Sequence, residues 1–146
     1  MRSEKGSSKG VFLSAKGGHN GESHGHNNVG NFVLYLDGKP GLIDVGVATY
    51  SAKTFSKERY NLWYMQSQWH NVPTINSYMQ PPGAQYKAEK VIFINWKYNF
   101  VNMFHLFYKV SFNKTAEDSY YFTLDIANAY QKEAQVNSWI RTFQFN

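Results

Sequence analysis

The stretch NFVLYLDGKPGLIDVGV, residues 31–47, decides the fold class. Asn31 to Leu36 is rich in β-branched and aromatic residues, which predicts a strand. Asp37-Gly38 is a two-residue hairpin signal, because both residue types tolerate the positive φ angles of a tight turn. Gly41 to Val47 is the predicted partner strand. The stretch therefore predicts an antiparallel β-hairpin.

On both sides of this hairpin, the residue pattern predicts further strands. The further candidates are Val11 to Ala15, Asn71 to Asn76 (at an edge or bulge because of Pro73), Lys90 to Trp96, Phe104 to Phe112, Tyr120 to Ile126 and Trp139 to Phe145. Helical periodicity is scarce, and only Ser56 to Gln68 and Ala129 to Val136 could hold short helices. Many strands separated by Gly, Pro and Asn turns predict an all-β fold, an antiparallel sandwich or barrel.

Length and composition limit the class of protein. The 146 residues predict one domain, and 42% hydrophobic against 17% charged residues predict a packed core rather than disorder. The absence of cysteine excludes disulfides, thiolate metal sites and a cysteine nucleophile. No apolar run is long enough to predict a membrane span. Residues 1–10 are polar, which is compatible with a disordered N-terminal segment.

The net charge of +5 suits an anionic partner such as an acidic polysaccharide, although a mildly basic soluble protein is an equally good interpretation. The basic residues are scattered rather than clustered, which argues against nucleic acid.

A small set of histidines and one aspartate could carry chemistry. In His24-Gly25-His26, extended backbone would project both imidazoles to one side, where they could chelate a divalent ion. Alternatively, one imidazole binds metal while the other faces substrate. Asp44 lies among apolar residues and is costly to bury unless it is paired or binds a metal. With His70, residues His26 and Asp44 form a plausible zinc set, although Asp44 could simply cap a turn or pair with Lys or Arg.

Several short stretches, in this order, resemble the C-terminal β-sandwich of the heparinase II/III family of polysaccharide lyases. They are SAKGGHN (14–20), ESHGHNNVG (22–30), YLDGKP (35–40), LIDVG (42–46), KTFS (53–56), ERY (58–60), MQS (65–67), HN (70–71), PTIN (73–76), LDIA (124–127) and AY (129–130). The chain departs from the family pattern at Asn28 (usually Asp), at Gln131 (usually Pro) and over residues 91–119, a divergent insertion.

The resemblance implies a supersandwich-like β-domain over residues 1–146 and cleavage of uronic-acid polysaccharides by β-elimination. It implies a structural Zn²⁺ held by His26, Asp44 and His70, and a His24 that faces the substrate. Tyr60 matches, less well, a Tyr of the cleft. The family also implies a partner α-helical toroid domain, absent from this chain, and a periplasmic or secreted location.

Two other functions remain open. The aromatic, Asn-rich and basic composition would also suit a non-catalytic carbohydrate-binding module. A cupin-like metal enzyme built on His24-Gly25-His26 would place both histidines on one metal.

Overall fold

The computed structural model describes residues 1–95 and 120–145 and shows an all-β antiparallel domain. Eight strands lie in these ranges: β1 (Val11–Ala15), β2 (His19–Asn20), β3 (Phe32–Leu36), β4 (Lys39–Leu42), β5 (Gly83–Lys87), β6 (Glu89–Asn95), β7 (Tyr120–Asp125) and β8 (Ile140–Phe145). They form three antiparallel sheets, ordered β1-β3-β4, β2-β5 and β6-β7-β8. The predicted all-β antiparallel sandwich class is confirmed.

The predicted hairpin forms between β3 and β4. Asp37 (φ 49°) and Gly38 (φ 74°) both have positive φ, as expected for a turn that matches the twist of the flanking strands. The second strand is shorter than predicted, because β4 ends at Leu42 instead of continuing to Val47. Beyond it, the Asp44 side chain accepts the Gly46 N–H at 2.8 Å, and this local turn diverts the chain from the sheet.

The strand predicted over residues 71–76 is wrong, whereas the two predicted short helical segments are confirmed only as 3₁₀ turns. Residues 71–76 do not form a strand, and only Ile75 makes an isolated bridge, to Tyr78. The first predicted helical segment is instead a series of 3₁₀ turns: Arg59–Asn61, Trp63–Met65 and Ser67–Trp69. The second contains a 3₁₀ turn at Lys132–Ala134, and another 3₁₀ turn, Ala127–Ala129, ends at the first residue of the predicted segment. Such short turns lack the repeated i→i−4 bonds that stabilise a longer helix.

Four of the other predicted strands are confirmed to within two residues, as β1, β6, β7 and β8. The predicted strand Phe104 to Phe112 and His105 lie outside the described residues. Ahead of β1, the Met1 ammonium donates to the Leu13 carbonyl at 2.7 Å, and Arg2 forms a bridge with Phe12. No helix in the described ranges is long and apolar enough to cross a membrane.

The core lies where the end of β7 meets the 3₁₀ turns and the segment before β3. Its fully buried members include Val29, Leu124 and Ile126. Gln80 fixes Val29 from the side, accepting its N–H and donating to its carbonyl, both at 2.8 Å. This amide supplies the hydrogen bonds that a neighbouring strand would supply, so the chain after His26 has a fixed position.

Candidate metal centre and the histidine loop

Three side chains that are far apart in sequence converge at one point. His26, Asp44 and His70 each offer one ligand atom, and these atoms all lie within 4.8 Å of one another. The rings of His26 and His70 have centroids 5.0 Å apart, and both residues are buried. Two imidazoles and a carboxylate are a donor set that zinc accepts in proteins. Among the described residues, no other group of three His, Asp, Glu or Cys side chains is placed this way.

The hydrogen bonds of His70 indicate that the cluster fits a cation. Its Nε2 lies 3.1 Å from the Tyr64 carbonyl, and its Nδ1 lies 2.8 Å from Asp44 Oδ2. The Tyr64 carbonyl and the ionised Asp44 carboxylate both only accept, so either contact can be a hydrogen bond that His70 donates, depending on its tautomer. An imidazole with one N–H can donate to only one of the two acceptors, and its other ring nitrogen can then bind a metal ion. The cluster therefore fits a divalent cation, with Tyr64 fixing the ring orientation.

Electrostatics keep His26 and Asp44 in their metal-binding forms. Burial, with the neighbouring His70 adding to it, lowers the pKa of His26 to about 4, so its imidazole is neutral at physiological pH. Burial by itself would raise the pKa of Asp44, but hydrogen bonds from His70, Gly46 and Asn31 outweigh it and the pKa is lowered. Metal ligation requires a neutral imidazole and an ionised carboxylate.

An outer layer of asparagines holds the carboxylate in place. The Asn31 amide donates to Asp44 Oδ2, and its carbonyl oxygen accepts the Asn71 N–H at 3.0 Å. The Asn71 amide donates to the Phe32 carbonyl at 2.8 Å and to the Ile43 carbonyl at 3.0 Å. Sequence analysis missed the role of Asn31 and Asn71. The only hint in the sequence was that Asn31 directly precedes β3 and that Asn71 directly follows His70.

The two histidines of the loop point to different environments. His24 is exposed and has a φ of 57°, whereas His26 is buried. The loop is therefore not extended, and His24 does not join the metal cluster. Of the two sequence-based alternatives, the structure has the one that separates the imidazoles. Left-handed non-glycine residues are uncommon and concentrate at functional sites, with His among the enriched types.

Exposed aromatic rings surround His24. Tyr50 stacks on it with centroids 6.2 Å apart, and Phe55 approaches edge-on at 6.3 Å. Both rings are themselves exposed, at 49% and 64%. The His24 imidazole is thus held by ring contacts while remaining open to solvent.

Arg59 connects the loop to the segment that carries Tyr60. Its Nη2 donates to the Gly25 carbonyl at 2.8 Å, and its Cζ lies 5.8 Å from the Tyr60 ring centroid. The structure therefore gives Tyr60 an indirect connection to the His24 loop through Arg59. This link was not predicted, because no spacing rule relates a guanidinium to a carbonyl 34 residues away.

An antiparallel β-domain with a His–Asp–His cluster and an exposed histidine two residues from one of its members defines a candidate metal-binding domain. The chain belongs to the heparinase II/III-like C-terminal family, whose model matches residues 6–144. It is thus a domain of a polysaccharide lyase family, as the sequence predicted. No curated protein matches the chain.

Proposed function

We propose that this chain is the β-sandwich domain of a lyase that cleaves uronic-acid-containing polysaccharides by β-elimination. The observation that carries the proposal is the convergence of His26, Asp44 and His70, two residues along the chain from an exposed His24. The acidic polysaccharide also suits the net charge of +5. A periplasmic or secreted location and a helical toroid domain in the parent protein belong to the same proposal.

His26, Asp44 and His70 would hold a structural Zn²⁺. The ion would tie the histidine loop to the segments after β4 and before residue 71, and would thereby fix the backbone that carries His24. Arg59 and Gln80 already hold this loop on either side of His26, through Gly25 and Val29. The chain's own contacts and the ion therefore act on the same short segment.

In β-elimination, a base removes the proton on C5 of the uronate, the C4–C5 double bond forms, and the C4–O bond breaks. The leaving oxygen takes a proton from an acid. His24 would contact the uronate and take part in the proton transfer, because an imidazole exchanges protons near neutral pH. Tyr60 would contribute a hydroxyl, and the toroid domain would supply the other side of the cleft.

Metal binding is tested with His26→Ala. We expect this variant to lose zinc by elemental analysis and to melt at a lower temperature, because a ligand and a buried ring are removed. His24→Ala is the matched control, since it lies two residues away and outside the cluster. Full retention of zinc by His26→Ala would refute the ligand assignment.

Catalysis is tested in the intact parent protein by following the ultraviolet absorbance of the unsaturated uronate product. We expect His24→Ala to lower the rate by about 10²–10⁴-fold, the usual contribution of a general acid or base, with zinc content unchanged. Undiminished product formation would exclude His24 from catalysis. Polysaccharide binding by the wild-type parent without any product would instead support a carbohydrate-binding module.

A further inference from the structure

Two tryptophans form an exposed and ordered pair close to the metal cluster. Trp63 and Trp69 lie on successive 3₁₀ turns, and their side chains are 54% and 51% exposed. Their ring centroids are 5.3 Å apart with an interplanar angle of 80°, so the edge of one indole meets the face of the other. Exposure of about one half is expected for a ring that has one free face.

A further ring contact supports one member of the pair. Trp63 also packs edge-on against Tyr64, at 5.8 Å and 89°, and Tyr64 is buried. A ring fixed before binding loses little conformational entropy when a ligand stacks on it. Large exposed aromatic side chains are enriched at binding sites, because exposing them otherwise leaves apolar area in water.

The stretch of sequence that carries the pair is polar and has no acidic residue. Gln68, within the second turn, donates to the side chain of Gln66, between the two turns, at 3.3 Å, and Gln66 donates to the Tyr60 carbonyl at 3.0 Å. The sequence has no Asp or Glu between Glu58 and Glu89. Aromatic faces beside side-chain amides, without carboxylates in that stretch, are suited to a polyhydroxylated and acidic ligand.

The pair adjoins the candidate site. Tyr64, which Trp63 contacts, lies 6.3 Å from the His26 ring, and its carbonyl lies 3.1 Å from His70 Nε2. A polymer bound at His24 is long enough to reach neighbouring surface, so a second contact for its sugar units is expected nearby.

We propose that Trp63 and Trp69 form a subsite that stacks against pyranose rings of the uronic-acid polysaccharide. The C–H bonds of a pyranose face carry partial positive charge and meet the negative face of an indole. This inference rests on the proposed function for the identity of the polymer. The subsite gives affinity and takes no part in proton transfer.

The test is calorimetric titration of the wild-type chain with hexasaccharides of heparin, hyaluronan and alginate, and with neutral maltohexaose. We expect one or more of the acidic hexasaccharides to bind more tightly than maltohexaose. We expect Trp63→Leu and Trp69→Leu each to weaken that binding by about ten-fold, whereas Trp63→Phe and Trp69→Phe stay within about three-fold. Leucine keeps apolar volume and removes the aromatic face, so the pair of replacements isolates stacking.

Trp139→Leu is the matched control, because Trp139 is also exposed (41%) and lies just before β8, outside the two turns that carry the pair. It should bind like the wild type. The subsite is overturned if no acidic hexasaccharide binds, if maltohexaose binds equally well, or if the leucine and phenylalanine variants do not differ. Zinc content and the activity of His24→Ala are independent of these outcomes, so failure of the subsite would leave the proposed function to its own tests.

Discussion

Asp44 and Asp125 are both shielded carboxylates with a lowered pKa, but their surroundings differ in one respect. Asp125 accepts two hydrogen bonds on each oxygen: Oδ1 from the Ala127 and Trp139 N–H groups, and Oδ2 from Ser138 and Lys90. Asp44 accepts from Gly46 and Asn31, and its remaining neighbour is the His70 Nδ1.

The difference separates a structural carboxylate from a candidate ligand. Every acceptor site of Asp125 is used by a donor from the chain, so the group needs no ion. Asp44 instead lies beside two buried imidazoles, those of His70 and His26, with which it forms a possible set of metal ligands. A shielded carboxylate is therefore informative only when its donors have been counted, because partial shielding from water and a lowered pKa are common to both cases.

The largest effect is expected for Asp125→Asn. The side-chain amide of the variant carries no charge, and its NH₂ group cannot accept the hydrogen bonds that one carboxylate oxygen of Asp125 accepts. The free energy of unfolding should therefore fall by about 3 kcal/mol. Urea unfolding with zinc and with a chelator measures this. The loss should be equal in both conditions, and a zinc-dependent loss would contradict the distinction between the two carboxylates.

Zinc itself should have the next largest effect, and it should act through Asp44. At zinc concentrations about 100 times the dissociation constant, the wild-type free energy of unfolding should rise by about 2.7 kcal/mol. Asp44→Asn should abolish most of this gain because it removes an anionic ligand. Thermal melts at increasing zinc concentrations would measure this stabilisation in the wild type and in Asp44→Asn. An equal zinc-dependent rise in melting temperature for both proteins would count against the site.

Asn31→Ala tests whether the outer layer tunes the metal site. Removing the amide frees Asp44 to rotate, so zinc affinity should fall by about 10–100-fold, as is typical of second-layer partners. Competition with a chromophoric chelator gives the affinity. Asn76→Ala, whose amide donates to Ala134 away from the cluster, is the control and should leave zinc affinity unchanged.

Acid should destabilise the protein through Asp125. Its pKa in the folded state lies below the ordinary value of 3.8: burial raises it, but the hydrogen bonds from Trp139, Ala127, Ser138 and Lys90 outweigh that effect. The stabilisation is thus complete above pH 4 and is lost as pH falls through the folded pKa, with a slope of at most about 1.4 kcal/mol per pH unit. With a chelator present, the wild type and Asp125→Asn should have similar free energies of unfolding at pH values below the folded pKa of Asp125. A constant difference would contradict the pKa direction.

The smallest effect is expected for Lys90→Ala. The ammonium lies 3.3 Å from Asp125 Oδ2 but its side chain is 69% exposed, so water and salt screen the pair. The loss should be below about 1 kcal/mol and should shrink at high salt. A loss as large as that of Asp125→Asn would mean that the ion pair, rather than the backbone N–H groups and Ser138, stabilises the carboxylate.

Local signals predicted much of the fold. The Asp37-Gly38 turn was predictable because its two residues tolerate the positive φ angles that the turn requires. Strand β7 was predictable because the side chains of residues 120–126 alternate between the two faces of a strand. The 3₁₀ turns between residues 59 and 69 were not predictable, because apolar spacing alone does not distinguish them from a helix. The end of β4 depended on a side-chain bond of Asp44, which propensity does not report.

The residue types and the resemblance identified His26, Asp44 and His70 as a metal set, because only certain side chains bind such an ion and their order along the chain is distinctive. Whether these groups meet, which histidine faces outward, and how Asn31, Arg59 and Gln80 fix them were decided by tertiary structure. These contacts join segments 13 to 51 residues apart. Their distances depend on how the sheets and turns pack, and no local rule of spacing contains that information.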